Sequence, residues 1–233
     1  MDERIAFAMI LVPAWVAIFG VALWSQWRRR GTLEHWSPSI LVVLLVHAWV
    51  SVGLSVAYLA RTGLSLDYLG QSNTSFGNFI IANLLSFMVV DLVIAAALRT
   101  EHRDTYLHHL FAALGACVVL YYDVSAWEYV LALVAAEISF CFYLRRLLQM
   151  IGYGNRAVLG MIARWQVLGT LLVRGIVHPV LGLVVVLSPA VMLAVKVLTV
   201  SLCTLGLYWA FILVRNRMRG RASPGAVQRR SIA

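Results

Sequence analysis

Residues 87–146 read FMVVDLVIAAALRTEHRDTYLHHLFAALGACVVLYYDVSAWEYVLALVAAEISFCFYLRR. Three apolar segments in this stretch carry an acid (Asp91), a histidine pair (His108, His109) and a second acid (Glu137). Each segment has a length suited to a membrane helix. Ionisable groups inside hydrocarbon are costly, so each of these side chains needs a partner or a chemical role. The same reading extends to the rest of the chain and decides its class.

The 233 residues are 62% hydrophobic and 12% charged. A soluble domain is roughly half apolar and a quarter charged, so the composition identifies an integral membrane protein. The formal charge of +9 invites a nucleic-acid reading. The basic residues, however, sit at the ends of apolar runs, where they set orientation in a membrane. No nucleic-acid partner is expected. Cys117, Cys141 and Cys203 each lie inside an apolar run without metal-ligand spacing and read as small packing residues.

Outward from the opening stretch, apolar runs occupy residues 5–24, 40–59, 79–98, 106–122, 126–148, 165–187 and 190–214. The expected fold is all-α, a polytopic membrane bundle of about seven transmembrane helices. Residues 1–39 form an N-terminal transmembrane anchor and basic loop, 40–219 the main transmembrane domain, and 220–233 a basic disordered tail. Pro13 is expected to bend the first helix. The Gly-rich, basic connector 149–164 is expected to hold an interfacial helix. Arg clusters alternate with weakly basic segments along the chain. Seven spans with the N-terminus outside or lumenal and the C-terminus cytoplasmic put nearly all of those clusters on one side.

Polar residues recur at helical spacing inside the runs. His47, Ser51 and Ser55 share one face, and Gln166, Thr170, Arg174 and His178 form a stripe at four-residue steps. Pro179 lacks an N–H and frees the carbonyl of Gly175 beside that stripe. Helical rise places Asp91 and His47 roughly 10 Å, and Arg174 roughly 13 Å, from the cytoplasmic ends, with the histidine pair shallower. A polar cavity among runs two to six, opening to the cytoplasm, is the expected consequence. Adjacent helical residues point about 100° apart, so only one histidine of the pair should face it squarely. The spacing does not select which.

A histidine beside a carboxylate is oriented and made more basic by it. It can take a proton from an amine or hydroxyl attacking a thioester, or carry the acyl group itself. Asp91 would orient that histidine. Arg174 could neutralise Asp91 or Glu137, or bind a phosphate or developing oxyanion. Each residue also has a structural reading: interfacial histidines, acids paired with Arg174, a stripe that joins helices, and His47 as packing. Four scattered histidines lack ligand spacing, so no metal is expected.

The order of these pieces resembles the TLC-domain family, which includes the ceramide synthases. The pieces are Asp91, the His108-His109 pair after a charged loop, Glu137-Ile138-Ser139, Arg174 with Pro179, and LGLYWAFILVR at 205–215. The resemblance covers roughly residues 40–219. It is closer to the short TLC-domain proteins, because AAEISFCFYLRR lacks the further acids of true ceramide synthases. The resemblance implies a protein of lipid metabolism in the endoplasmic reticulum or another internal membrane. In the ceramide-synthase branch it implies transfer of an acyl group from acyl-CoA to a sphingoid amine, with the histidine pair central. On this reading His108, His109 and Asp91 are catalytic, and Glu137, Arg174, His178 and His47 bind substrate. No cofactor is required beyond acyl-CoA as co-substrate. Membrane lipids are the expected partners, with a homo-oligomer as an open option.

Two further classes stand beside the acyltransferase. One is a non-catalytic lipid-binding protein that regulates membrane lipid composition. The other is a seven-span receptor or retinal protein, which ranks last because Lys196 lies only roughly 9 Å from the outer end of its run.

Overall fold

The computed structural model describes residues 2–34, 37–98, 103–136 and 140–222. Its secondary structure is helical: α1 (Glu3–Arg30), α2 (Pro38–Thr62), α3 (Ser75–Leu98), α4 (Arg103–Tyr122), α5 (Ala126–Ala136), α6 (Phe140–Met150), α7 (Arg156–Leu172), α8 (His178–Leu187) and α9 (Leu193–Ala222). A π-helical turn, Val173–Val177, joins α7 to α8. Among the described residues, five helical rods are long and apolar enough to cross a membrane: α1, α2, α3, the continuous Arg156–Leu187 and Leu193–Arg215. The chain is therefore a membrane-embedded all-α bundle.

The other two apolar runs take different forms. The fourth is a shorter apolar helix, Tyr106–Tyr122. Of the fifth run, Ala126–Ala136 and Phe140–Met150 are described and both are helical, as α5 and α6. The connector reading of 149–164 is corrected, because α7 already begins at Arg156. Asn155 caps it with a side-chain oxygen that accepts from the N–H groups of Ala157 and Val158, so the basic residues Arg156 and Arg164 ride on the rod itself. The helical part of α9 likewise runs to Ala222, past the 219/220 boundary expected from the sequence. Residues 223–233 lie outside the described part.

Local chemistry explains the helix ends. Asp2 caps α1 by accepting from the Arg4 N–H. That bond and those from the Arg4 guanidinium hold the Asp2 carboxyl down to about 2. Gly31 ends α1 in the left-handed conformation. Ser37 caps α2 ahead of Pro38, a residue whose missing N–H costs nothing in the first turn. Pro13 sits inside α1 without interrupting it.

α3 lies at the centre, packed by α1, α2, α4 and α5. Phe19, Ile40, Leu41, Ile80, Ile81, Leu84 and Val130 are its fully buried neighbours and members. Ile10, Val21, Trp49, Leu183, Val197 and Phe211 are exposed on the outside of the bundle, where hydrocarbon rather than water suits them. α1 belongs to this core: Trp15 donates its indole N–H to Asn83 Oδ1 at 3.1 Å.

The end of the bundle that carries Asp2, here the acidic end, is tied by a polar network. Asn73 Nδ2 donates to Asn78 Oδ1 at 2.8 Å and to the Val119 carbonyl at 3.0 Å. Its Oδ1 accepts the Ala126 N–H at 2.8 Å. Asn78 Nδ2 donates to Asp123 Oδ1 and to Glu3, and Arg4 Nη1 donates to the Leu120 carbonyl. Asn73 thus joins α3, α4 and α5 at one point. Asn73→Ala removes three side-chain bonds at about 1 kcal/mol each, so a loss of about 2–3 kcal/mol is expected. A lowered thermal unfolding midpoint in detergent would show it, and an unchanged midpoint would mean that water replaces all three.

Candidate functional site

Helices α2 to α9 surround a cavity of about 490 Å³. Along α9 its wall runs from Val195 to Leu213, about 27 Å by helical rise, close to the thickness of a bilayer's hydrocarbon core. The lining is polar toward the end opposite the acidic one, here the basic end. His47, Asp91, His108, His109, Gln166, Thr170, Arg174 and His178 all line the cavity. Leu84, Leu133, Leu181, Val185, Leu198 and Leu202 line the part nearer the acidic end. The sequence expectation of a cavity among runs two to six needs correction on one wall. The seventh run, α9, supplies Gly206, Trp209 and Leu213.

The histidine pair divides. His109 Nδ1 lies 3.3 Å from Asp91 Oδ2, with the carboxylate side chain 1% exposed. This is ion-pair distance, close enough for the acid to orient the ring. A ring that gives its Nδ1 proton toward Asp91 keeps a lone pair on Nε2. His108 turns instead to Trp209, with ring centroids 4.8 Å apart. The Arg174 guanidinium sits over the same indole, 4.4 Å from its centroid. Both histidines line the cavity, where the sequence expected only one to face it squarely. The 100° between them fits because the cavity has two walls there, α3 on one side and α9 on the other.

The stripe Gln166–Thr170–Arg174–His178 holds as a cavity wall, and the π turn explains how. In an α-helix a four-residue step drifts by about 40°, so three steps would carry His178 well off the line. The His178 N–H reaches back to the Val173 carbonyl, one residue further than in an α-helix. The wider turn takes up residues without advancing as far around the axis, which offsets the drift. His178 is also a tie between helices: its Nε2 donates to the Ala132 carbonyl at 3.1 Å. Gly182 lets Cys203 close in, since an added Cβ would lie 2.7 Å from its sulfur, and Cys203 bonds to the His178 carbonyl.

His47 is 3% exposed. It stacks on Phe87 at 3.5 Å with the rings nearly parallel, meets the edge of Trp15 and has Ser51 Oγ 3.3 Å from Nε2. Packing and cavity lining coincide in this residue. Cys117 is exposed on the bundle surface, Cys141 is buried and Cys203 half-buried, so packing describes the last two only. Glu137 lies outside the described residues. Among the described residues no three His, Cys, Asp or Glu side chains are grouped as metal ligands would be.

Sequence reasoning missed Tyr129 and Glu128, and it read Trp209 only as part of the motif LGLYWAFILVR, with no place in the site. Trp209 and Tyr129 sit in apolar runs, where an aromatic reads as core. Tyr129 packs against Gly115, whose missing side chain makes room for the ring, and its hydroxyl donates to the Ala112 carbonyl. Glu128 reads as a loop charge, yet it is 7% exposed and lines the cavity at the acidic end. An acid in the first turn of an apolar helix was the available signal.

No protein-family model, no curated protein and no solved structure matches this chain.

Proposed function

We propose that this chain is a TLC-like membrane protein of lipid metabolism that transfers an acyl group from acyl-CoA to a lipid amine or hydroxyl. The observation that carries the reading is the His109–Asp91 contact of 3.3 Å at the polar end of a cavity lined elsewhere by aliphatic side chains. His109 Nε2 takes the proton of the amine or hydroxyl as its lone pair attacks the thioester carbonyl. The negative charge that develops on the carbonyl oxygen is stabilised by Arg174, held over Trp209. The C–S bond then breaks, the thiolate leaves and receives the proton from His109, and the ester or amide remains in the membrane. The acyl chain lies along the aliphatic part of the cavity. With the basic end at the cytoplasm, acyl-CoA enters from the side where it is made. In a eukaryotic cell the endoplasmic reticulum is the membrane that suits such chemistry.

The second reading keeps the cavity and drops the chemistry: a lipid-binding protein that regulates membrane composition. The tie of His178 to the Ala132 carbonyl favours it, because this part of the polar stripe is already committed to structure. Reconstituted wild-type protein, given labelled acyl-CoA and a panel of lipid amines and alcohols, is expected to form an acylated product. Absence of product with every acceptor, together with retained co-purified lipid, would replace the acyltransferase by the binding protein.

A further inference from the structure

At the acidic end the cavity wall holds a second polar pair, Ser125 and Glu128, which the chemistry above does not use. Glu128 is 7% exposed. Its Oε1 accepts the Gly70 N–H at 2.5 Å. Among the described residues, Glu128 Oε2 and Ser125 Oγ are buried with no hydrogen-bond partner but each other, and no cationic side chain forms an ion pair with Glu128. A buried carboxyl is destabilising unless something donates to it. The Gly70 N–H and the Ser125 hydroxyl leave acceptor sites of the carboxyl unused, and a donor inside the cavity would fill one. The distance from Trp209, at the polar basic end, to Val195 is about 21 Å along α9, and the wall between is largely aliphatic.

We propose that the cavity binds a two-ended amphiphile: a long aliphatic chain whose end remote from His109 and Asp91 carries a hydroxyl or an ammonium group that donates to Glu128 Oε2 beside Ser125. A chain ending in methyl would bury the Glu128 carboxyl against hydrocarbon with only Ser125 and the Gly70 N–H to serve it. A hydroxyl or ammonium donates a further hydrogen bond to the acid, and the hydroxyl can also bond with Ser125. The inference rests on the reading of the cavity as a lipid site and is independent of acyl transfer.

The test is binding of palmitic acid and of its ω-hydroxy and ω-amino derivatives to the purified full chain in nanodiscs, read by calorimetry. At least one ω-polar chain is expected to bind wild type about tenfold or more tighter than palmitic acid, a difference of 1.4 kcal/mol. Glu128→Gln keeps an oxygen for the Gly70 N–H but turns an NH2 toward the ligand. It is expected to abolish the preference for the ω-amino chain over palmitic acid. Ser125→Ala is expected to reduce the ω-hydroxy preference and supplies the comparison should Glu128→Gln fail to fold. Equal affinity for the three chains in wild type, or preferences that survive both substitutions, would overturn the inference. Failure to bind any of the three would sink the lipid-site reading itself. Tight ω-selective binding without any transfer product would sink only the acyltransferase.

Discussion

His109→Ala is expected to lower the acyl-transfer rate of the reconstituted protein by about two to four orders of magnitude, the range a positioned general base contributes. His109 is the histidine that meets Asp91, at 3.3 Å, so it is the one whose ring is oriented for proton transfer. Asp91→Asn should cost nearly as much, because an amide no longer favours the tautomer with its lone pair at Nε2. The two losses should not add, since both substitutions disable one unit. His108→Ala is expected to act differently. Its ring packs on Trp209, which also carries Arg174, so this change should disturb placement of the charged intermediate and cost less. Initial rates of product formation for the three variants, each checked for an unchanged elution profile and melting midpoint, decide the matter. Full activity in folded His109→Ala would remove the base from the mechanism.

Gly70→Ala is expected to destabilise the protein by about 3–5 kcal/mol, combining the left-handed backbone penalty, a steric overlap and a lost hydrogen bond. Gly70 has φ +69°, and an added Cβ would stand 2.3 Å from the Ala190 carbonyl oxygen. That oxygen is backbone and cannot swing aside as a long side chain could. The 63–74 loop would have to retreat, and its retreat would break the Gly70 bond to Glu128. Gly31 provides the control. It has nearly the same φ, +68°, but nothing within 4 Å of an added Cβ, so Gly31→Ala should cost only about 1–2 kcal/mol. The two melting midpoints, measured side by side in one detergent, separate the overlap from the backbone term. Similar shifts would mean that Ala190 yields at little cost.

The helical membrane architecture was legible because hydrophobic runs of bilayer length are a one-dimensional signal. The stripe Gln166–His178 was legible only in part: four-residue spacing marks nearby positions on a helix, but the π turn that keeps His178 in line is a feature of the fold. The choice between His108 and His109 was not, since it depends on which neighbours α3 and α9 present on either side of α4. Trp209 was hidden because an aromatic in an apolar run has no signal that separates packing from cavity lining. Glu128 was hidden because its burial is imposed by Gly70, 58 residues away. The start of α7 was misjudged because Arg156 and Arg164 read as a surface connector, whereas a helix end at a membrane boundary accepts them equally well.

Arg4 at the head of α1 finds its carbonyl partner at Leu120, 116 residues later in the chain. The wall that carries Gly206 and Trp209 belongs to the last helix. The cavity therefore has its full wall only when the whole chain, from α1 to α9, has packed.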